Sequence, residues 1–231
     1  MLKCWEDLPN FMKIDEVRPY WEKLYGRRGQ LLIKRVLDFF IATILFVILL
    51  IPMVVIAIMI KMEDHGPIFY RQERVTQYGK HFRIHKFRTM VVNADKIGTA
   101  VTTNEDRRIT KIGSKLRNKR LDELPQVIDV LVGNMSFVGT RPEAVKYVNG
   151  YEPEYIATLL LPAGITSECS IRYKNEDKLL KNANDADRTY MQEVLPEKMK
   201  WNLQSIQEFS FINELKTMIR TVFAVLGKEY E

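Results

Sequence analysis

The stretch FFIATILFVILLIPMVVIAIMI, residues 39–60, carries no charged residue. At about 1.5 Å per residue it would reach roughly 33 Å as a helix, near the hydrocarbon thickness of a bilayer. A buried core helix of that length would keep a polar face, and this one has none. It begins too far along for a secretory signal, and no small-residue cleavage site follows it. The segment is therefore expected in a membrane. Pro52 lies past its middle, where it removes a backbone hydrogen bond and crowds the preceding turn, a cost of about 3 kcal/mol in an uninterrupted helix. Two topologies fit: a kinked spanning helix, which membranes tolerate, or a hairpin-like helix that enters and leaves one leaflet. Arg27, Arg28, Lys34 and Arg35 flank one end, and Lys61, Arg71 and Arg74 follow the other. The positive-inside bias thus pulls both ends to the cytoplasmic face. Asp38 stands at the start, where Lys34 or Arg35 can pair with it.

Around this segment the chain divides into three parts. Residues 1–30 mix Trp5, Tyr20, Trp21 and Tyr25 with charges, which suits an interfacial helix or a flexible lead-in. Residues 31–61 are the membrane helix. Residues 62–231 hold the soluble domain. GPIFYRQERV (66–75) and KHFRIHKFRTMVV (80–92) read as strands with a turn at Gly79, and residues 104–133 as helices broken by turns. Amphipathic helical patterns fill 151–231, with a late apolar one at 211–226. Cys4 and Cys169 are too few for a disulfide framework or a cysteine zinc site. His81 and His85 fall in a strand-like stretch, which argues against a helical HxxxH metal site.

The net charge is +6, a balance that suits nucleic acid, an anionic membrane or phosphate-bearing substrates. Against that background, RLDELPQVIDVLVG (120–133) sets two carboxylates, Asp122 and Glu123, just before Pro125. Read as a helix over 122–132, the segment puts Leu124, Val127, Ile128 and Leu131 on one face and Asp122, Gln126 and Asp129 on the other. Both acids then sit at the positive end of the helix dipole. A solvated cap is the plain alternative. However, Arg107, Arg108, Lys111, Lys115, Arg117, Lys119 and Arg120 crowd the approach. Adjacent carboxylates repel unless a cation neutralises them. Mg²⁺ accepts one or two carboxylates and fills its shell with water and substrate phosphates. A carboxylate can also attack phosphorus. Membrane segment, basic pocket and paired acids together point to phosphoryl transfer involving a lipid.

KRVLD (34–38), GPIFYRQER (66–74), KFRTM (86–90), DRRITKIGSKLRNKRLDELPQ (106–126), GNMSFVGTRP (133–142), LPAGITS (161–167) and DRTY (187–190) occur in this order. That string resembles the bacterial sugar transferases, the monotopic polyprenyl-phosphate phosphoglycosyl transferases. The resemblance covers about residues 31–225. It implies a mixed, helix-rich α/β fold: a small cytosolic catalytic domain on a re-entrant membrane helix with amphipathic interfacial helices. It also implies transfer of a sugar 1-phosphate from a UDP-sugar to polyprenyl (undecaprenyl) phosphate, with UMP released through a covalent aspartyl intermediate. By position, Asp122 matches the nucleophile and Glu123 the Mg²⁺ ligand. Lys86 and Arg117 match basic site residues, and Arg88 of KFRTM is assigned with them to substrate binding. Arg141 and Pro142 match the end of a donor-binding Pro-Arg-Pro motif, and Asp187 an acid near the site. Implied partners are the UDP-sugar, the lipid phosphate and the cytoplasmic face of the bacterial inner membrane; a homo-oligomer is allowed. Thr140 replaces the motif's first proline, Ile51 a serine often found before the membrane proline, and Asp129 a usual asparagine. PAGITSECS also departs from the commoner PGITGWAQV, which leaves the sugar open.

Three other readings compete. A membrane-tethered nucleic-acid binder would interleave aromatics with its cations, and residues 104–123 contain none; nucleic acid is not an expected partner. A non-catalytic anchor would tolerate loss of both carboxylates. A metal-dependent lipid-phosphate or nucleotide-diphosphate hydrolase would use the same pair.

Overall fold

The computed structural model describes residues 2–94, 106–173 and 186–225. Its longest element takes up the apolar stretch whole. Helix α1 (Arg18–Tyr25) turns at Gly26 into α2 (Arg28–Asp64), which runs unbroken through Pro52. The helical backbone thus persists at that proline. The reason lies in a packed seam. Lys34, Asp38, Ala42, Leu45, Leu49, Met53, Ile56, Ile60 and Asp64 are buried or half-buried, spaced three or four apart on one face. Leu49 and Met53 pack against Phe87 and Leu116 on either side of Pro52, which is itself exposed. Contacts before and after the proline outweigh the bond it removes. The other face exposes Phe40, Val47, Ile48, Ile51, Val55 and Met62.

Both ends of α2 are tied to the rest of the domain. Near the start, Lys34 donates to Ser136 Oγ at 2.5 Å and to the Val138 carbonyl at 3.0 Å. It also pairs with Asp38, at 3.6 Å, as its spacing suggests, and with Glu214. Arg35 donates to the Val130 carbonyl at 2.9 Å. At the far end, Glu63 accepts the Lys111 backbone N–H at 2.8 Å, and Asp64 holds both terminal nitrogens of Arg88.

The N-terminal residues are not a lead-in. Met12, Val17, Tyr20 and Leu24 are buried against Leu160, Ile206 and Phe209, because α1 carries an apolar face that needs a partner. Trp21 packs on both Trp5 and Tyr25.

The remaining elements build a mixed, helix-rich fold around short strands. A bent hairpin pairs β1 (Phe69–Tyr70) with β4 (Lys86–Phe87) and β2 (Glu73–Val75) with β3 (His81–Arg83), both antiparallel. Its turn falls at Gly79, with φ of 74°, where the sequence puts it. Helix α3 (Lys111–Asn118) follows, then a 3-10 turn (Leu121–Glu123) and α4 (Gln126–Leu131). Strand β5 (Met135–Val138) lies parallel to β6 (Ala163–Thr166), with α5 (Val145–Val148) between them in sequence. Next come α6 (Glu168–Arg172) and α7 (Ala186–Thr189); a π turn (Tyr190–Val194) leads into α8 (Leu195–Gln207). Last is α9 (Phe211–Val225), where the late apolar pattern lies.

The expected helix over 122–132 is therefore two pieces joined at Pro125. Its faces also differ from the pattern. Gln126 and Asp129, expected on the polar side, are buried. Asp129 turns inward because His85 satisfies it, through its backbone N–H and ring Nδ1, both at 2.8 Å. A short helix wedged between α2 and the hairpin has no free face for a polar stripe.

Candidate active site

The carboxylate pair sits in a turn forced tight by its neighbours. Arg120, just before it, adopts a left-handed backbone with φ of 54°, uncommon for a side chain other than glycine. Helix α3 approaches closely: a Cβ on Gly113 would meet the Thr89 carbonyl at 2.0 Å. That approach sets Arg117, near the end of α3, beside the strand that carries Lys86. A cavity of about 870 Å³ opens here. Ten cationic side chains line it, among them Lys86, Arg117, Arg120 and Arg141, against three carboxylates, Asp122, Glu123 and Asp187. Such a wall attracts phosphate oxygens.

Glu123 is the electrostatic hub. Lys86 Nζ donates to its Oε1 at 2.8 Å, and Arg141 Nη2 donates to the same oxygen. Burial pushes the Glu123 carboxyl up, but Arg141 and Lys86 together hold it well below the usual glutamate range. The neighbouring Asp122 goes the other way. Its burial raises the carboxyl, and Glu123 raises it further, while Lys86 and Arg117 oppose both. Burial likewise lowers the Lys86 ammonium, with Glu123 opposing. Adjacent acids tuned in opposite directions are a mark of divided roles.

Among the described residues no three His, Cys, Asp or Glu side chains gather in one place. The carboxylates at hand are Asp122 and Glu123, and an ion such as Mg²⁺ needs only one or two, completing its shell with water and substrate phosphates. Both cation bonds fall on Glu123 Oε1, so Oε2 takes neither of them.

The sequence pattern of the bacterial sugar transferases matches residues 29–228. The chain belongs to that family. Among relatives of this bacterial sugar transferase, a proposed undecaprenyl-phosphate N-acetylgalactosaminyl 1-phosphate transferase of Bacillus subtilis is 40% identical over 149 residues, 64% of this chain and 82% of the relative. The UDP-glucose:undecaprenyl-phosphate glucose-1-phosphate transferase of Escherichia coli is 34% identical over 83% of this chain. A UDP-N-acetylgalactosamine-undecaprenyl-phosphate N-acetylgalactosaminephosphotransferase of Aeromonas hydrophila is 31% identical over 84%. The matched region spans only 40% and 44% of the length of those last two.

Within this sugar transferase the other singled-out residues fall in different places. Arg88 lines the cavity, yet its guanidinium is gripped by Asp64 and also donates to the Pro67 carbonyl. Pro142 lies outside the lining; its carbonyl accepts from Arg74 at 3.1 Å, which steadies the loop behind Arg141. Asp187 stands on the wall with Lys146 at 2.7 Å and Tyr147 at 2.6 Å. Of the cations expected round the pair, Arg108, Arg117 and Arg120 line the cavity, while Arg107, Lys111, Lys115 and Lys119 are exposed and outside it.

Several wall residues carried no local signal. Lys146 and Lys198 come from helices far along the chain. Lys198 belongs to a buried trio: it donates to Tyr190 at 2.8 Å and to Glu143 at 3.2 Å, and Tyr190 donates to Glu143 at 2.6 Å. Glu143 follows the Arg141 loop by two residues, and Tyr190 opens the π turn, a device frequent at functional sites.

Proposed function

We propose that this chain transfers a sugar 1-phosphate from a UDP-sugar to undecaprenyl phosphate at the cytoplasmic face of a bacterial membrane, with Asp122 as nucleophile. The observation that carries this reading is the pair itself: a half-buried Asp122 beside Glu123, whose Oε1 accepts from both Lys86 and Arg141, inside a cation-lined cavity. Family membership and the relatives' names support the substrate classes.

A UDP-sugar and a lipid phosphate are both anionic, and direct reaction would bring their phosphates together. Splitting the transfer avoids that. In the first step an Asp122 oxygen bonds to the sugar-linked phosphorus. The bridging P–O bond breaks, and UMP leaves with the electron pair. In the second step a phosphate oxygen of the lipid attacks the same phosphorus and displaces the Asp122 carboxylate. Arg117 and Arg141 hold phosphate oxygens through their planar forks. Lys86 holds Glu123 in place. Glu123 would hold Mg²⁺, which when bound would supply charge neutralisation on the diphosphate.

The exposed apolar face of α2 is the membrane contact. Its two ends grip one and the same domain, through Ser136 at the start and Arg88 at the end. Both ends therefore belong on one side, with the helix entering a single leaflet rather than crossing. Single cysteines at Asp15 and Gly150, in a chain lacking Cys4 and Cys169, are expected to label only from the cytoplasm. Labelling of either from the periplasm sinks the single-leaflet topology.

Activity is tested with UDP-glucose, UDP-N-acetylgalactosamine and other UDP-sugars, each with undecaprenyl phosphate, reading UMP. Lipid-dependent multiple turnover with at least one donor is expected. Sustained UMP release without lipid would favour a hydrolase.

A further inference from the structure

Asp129, His85 and Arg71 form a chain from the buried core to the cavity. Asp129 is fully buried. Its Oδ1 accepts from His85 Nδ1 at 2.8 Å, and its Oδ2 accepts the His85 backbone N–H at 2.8 Å. With Nδ1 carrying the proton, Nε2 presents a lone pair. Arg71 Nη1 donates to that nitrogen at 2.6 Å, and Arg71 Nη2 donates to the Arg83 carbonyl at 2.9 Å. The guanidinium is thereby fixed at two of its five N–H donors, and three remain for an anion.

Arg71 lines the cavity directly after Phe69 and Tyr70, which are exposed aromatic residues of the same wall. Exposed Val91 and Val92 belong to that wall too. This lip adjoins the end of α2: a Cβ on Gly66 would meet Val92 Cγ2 at 2.7 Å. The cavity thus has an apolar lip continuous with the membrane helix and bearing one oriented guanidinium. Elsewhere its wall carries Lys146, Ser170, Asp187 and Lys198, polar groups suited to a nucleotide.

We propose that Arg71 binds the phosphate of the prenyl-phosphate acceptor, with Phe69 and Tyr70 against the first isoprene units, and that Asp129 and His85 are its positioning residues. The assignment rests on the transferase reading above. In the second step the lipid phosphate, a dianion, forms the new P–O bond while the bond to Asp122 breaks. Charge balances with no proton transfer. Arg71 holds the attacking phosphate in line.

The two half-reactions separate the claims. For Arg71→Ala, the KM for undecaprenyl phosphate is expected to rise about 10-fold or more, with the donor-alone UMP burst retained. Arg71→Lys should recover part of the loss, and His85→Phe should raise the lipid KM in the same direction by less. An unchanged lipid KM in Arg71→Ala overturns the assignment, as does loss of its donor-alone burst, which would move Arg71 to the donor. Absence of a burst in the unaltered enzyme counts against the transferase mechanism instead.

Discussion

Asp122→Asn is expected to reduce UMP release to background, with lipid or without it. The unaltered enzyme given donor alone should release about one UMP per active site and gain one phosphosugar mass on the peptide holding Asp122. Asparagine keeps the shape of the side chain and removes the attacking oxyanion. It also leaves the fold unharmed. The Asp122 carboxyl is raised above its ordinary 3.8, mainly by burial, so at neutral pH the folded state disfavours its charge. A neutral replacement should leave the melting temperature unchanged or higher, which separates lost chemistry from lost structure. The same raised carboxyl sets a pH limb. Only the ionised form attacks, so the donor half-reaction should fall as pH drops through a value above 3.8. A burst that survives in Asp122→Asn would assign the nucleophile elsewhere.

The paired acids were legible because the sequence sets them side by side among cations, and adjacency needs no tertiary information. The hairpin turn was legible for a similar reason: Gly79 supplies a positive φ that few residues adopt. Pro52 reads from the sequence as a local cost alone, whereas the seam that offsets it is made by Phe87 and Leu116, far along the chain. Asp129 was grouped with Asp122 and Gln126 on the polar side for want of its partner. A charged residue reads as exposed until His85 is seen beside it. Glu143, Tyr190 and Lys198 show the same limit: they meet across as many as 55 residues. Family resemblance supplied Lys86 and Arg141 as site residues. It could not supply what the structure adds, that both cations hold one oxygen of Glu123.

That shared oxygen makes Glu123→Gln the second severe substitution. The carboxylate lies between Lys86 and Arg141 with its side chain 15% exposed. Removing one partner of a buried ion pair leaves the other uncompensated, and here two cations would face each other across the site. Breaking such a pair costs about 3–5 kcal/mol; glutamine retains an acceptor, so about 3 kcal/mol is expected. For a chain of this size that lowers the melting temperature by roughly 6–12 °C. The pH dependence has a definite sign. The folded-state carboxyl is depressed well below 4.5, so its stabilisation is complete above 4.5 and is lost as pH falls through the folded value. The stability gap between the unaltered chain and Glu123→Gln should therefore be widest at neutral pH and narrow below about 4.5. Catalysis should fall at least about 100-fold, because Lys86 and Arg141 lose their anchor and the carboxylate proposed to hold Mg²⁺ is gone. Thermal melts from pH 7 to pH 4, run beside UMP release at saturating Mg²⁺, measure both effects. A variant that melts with the unaltered chain at neutral pH would show that the two cations find other partners and that Glu123 is not their anchor.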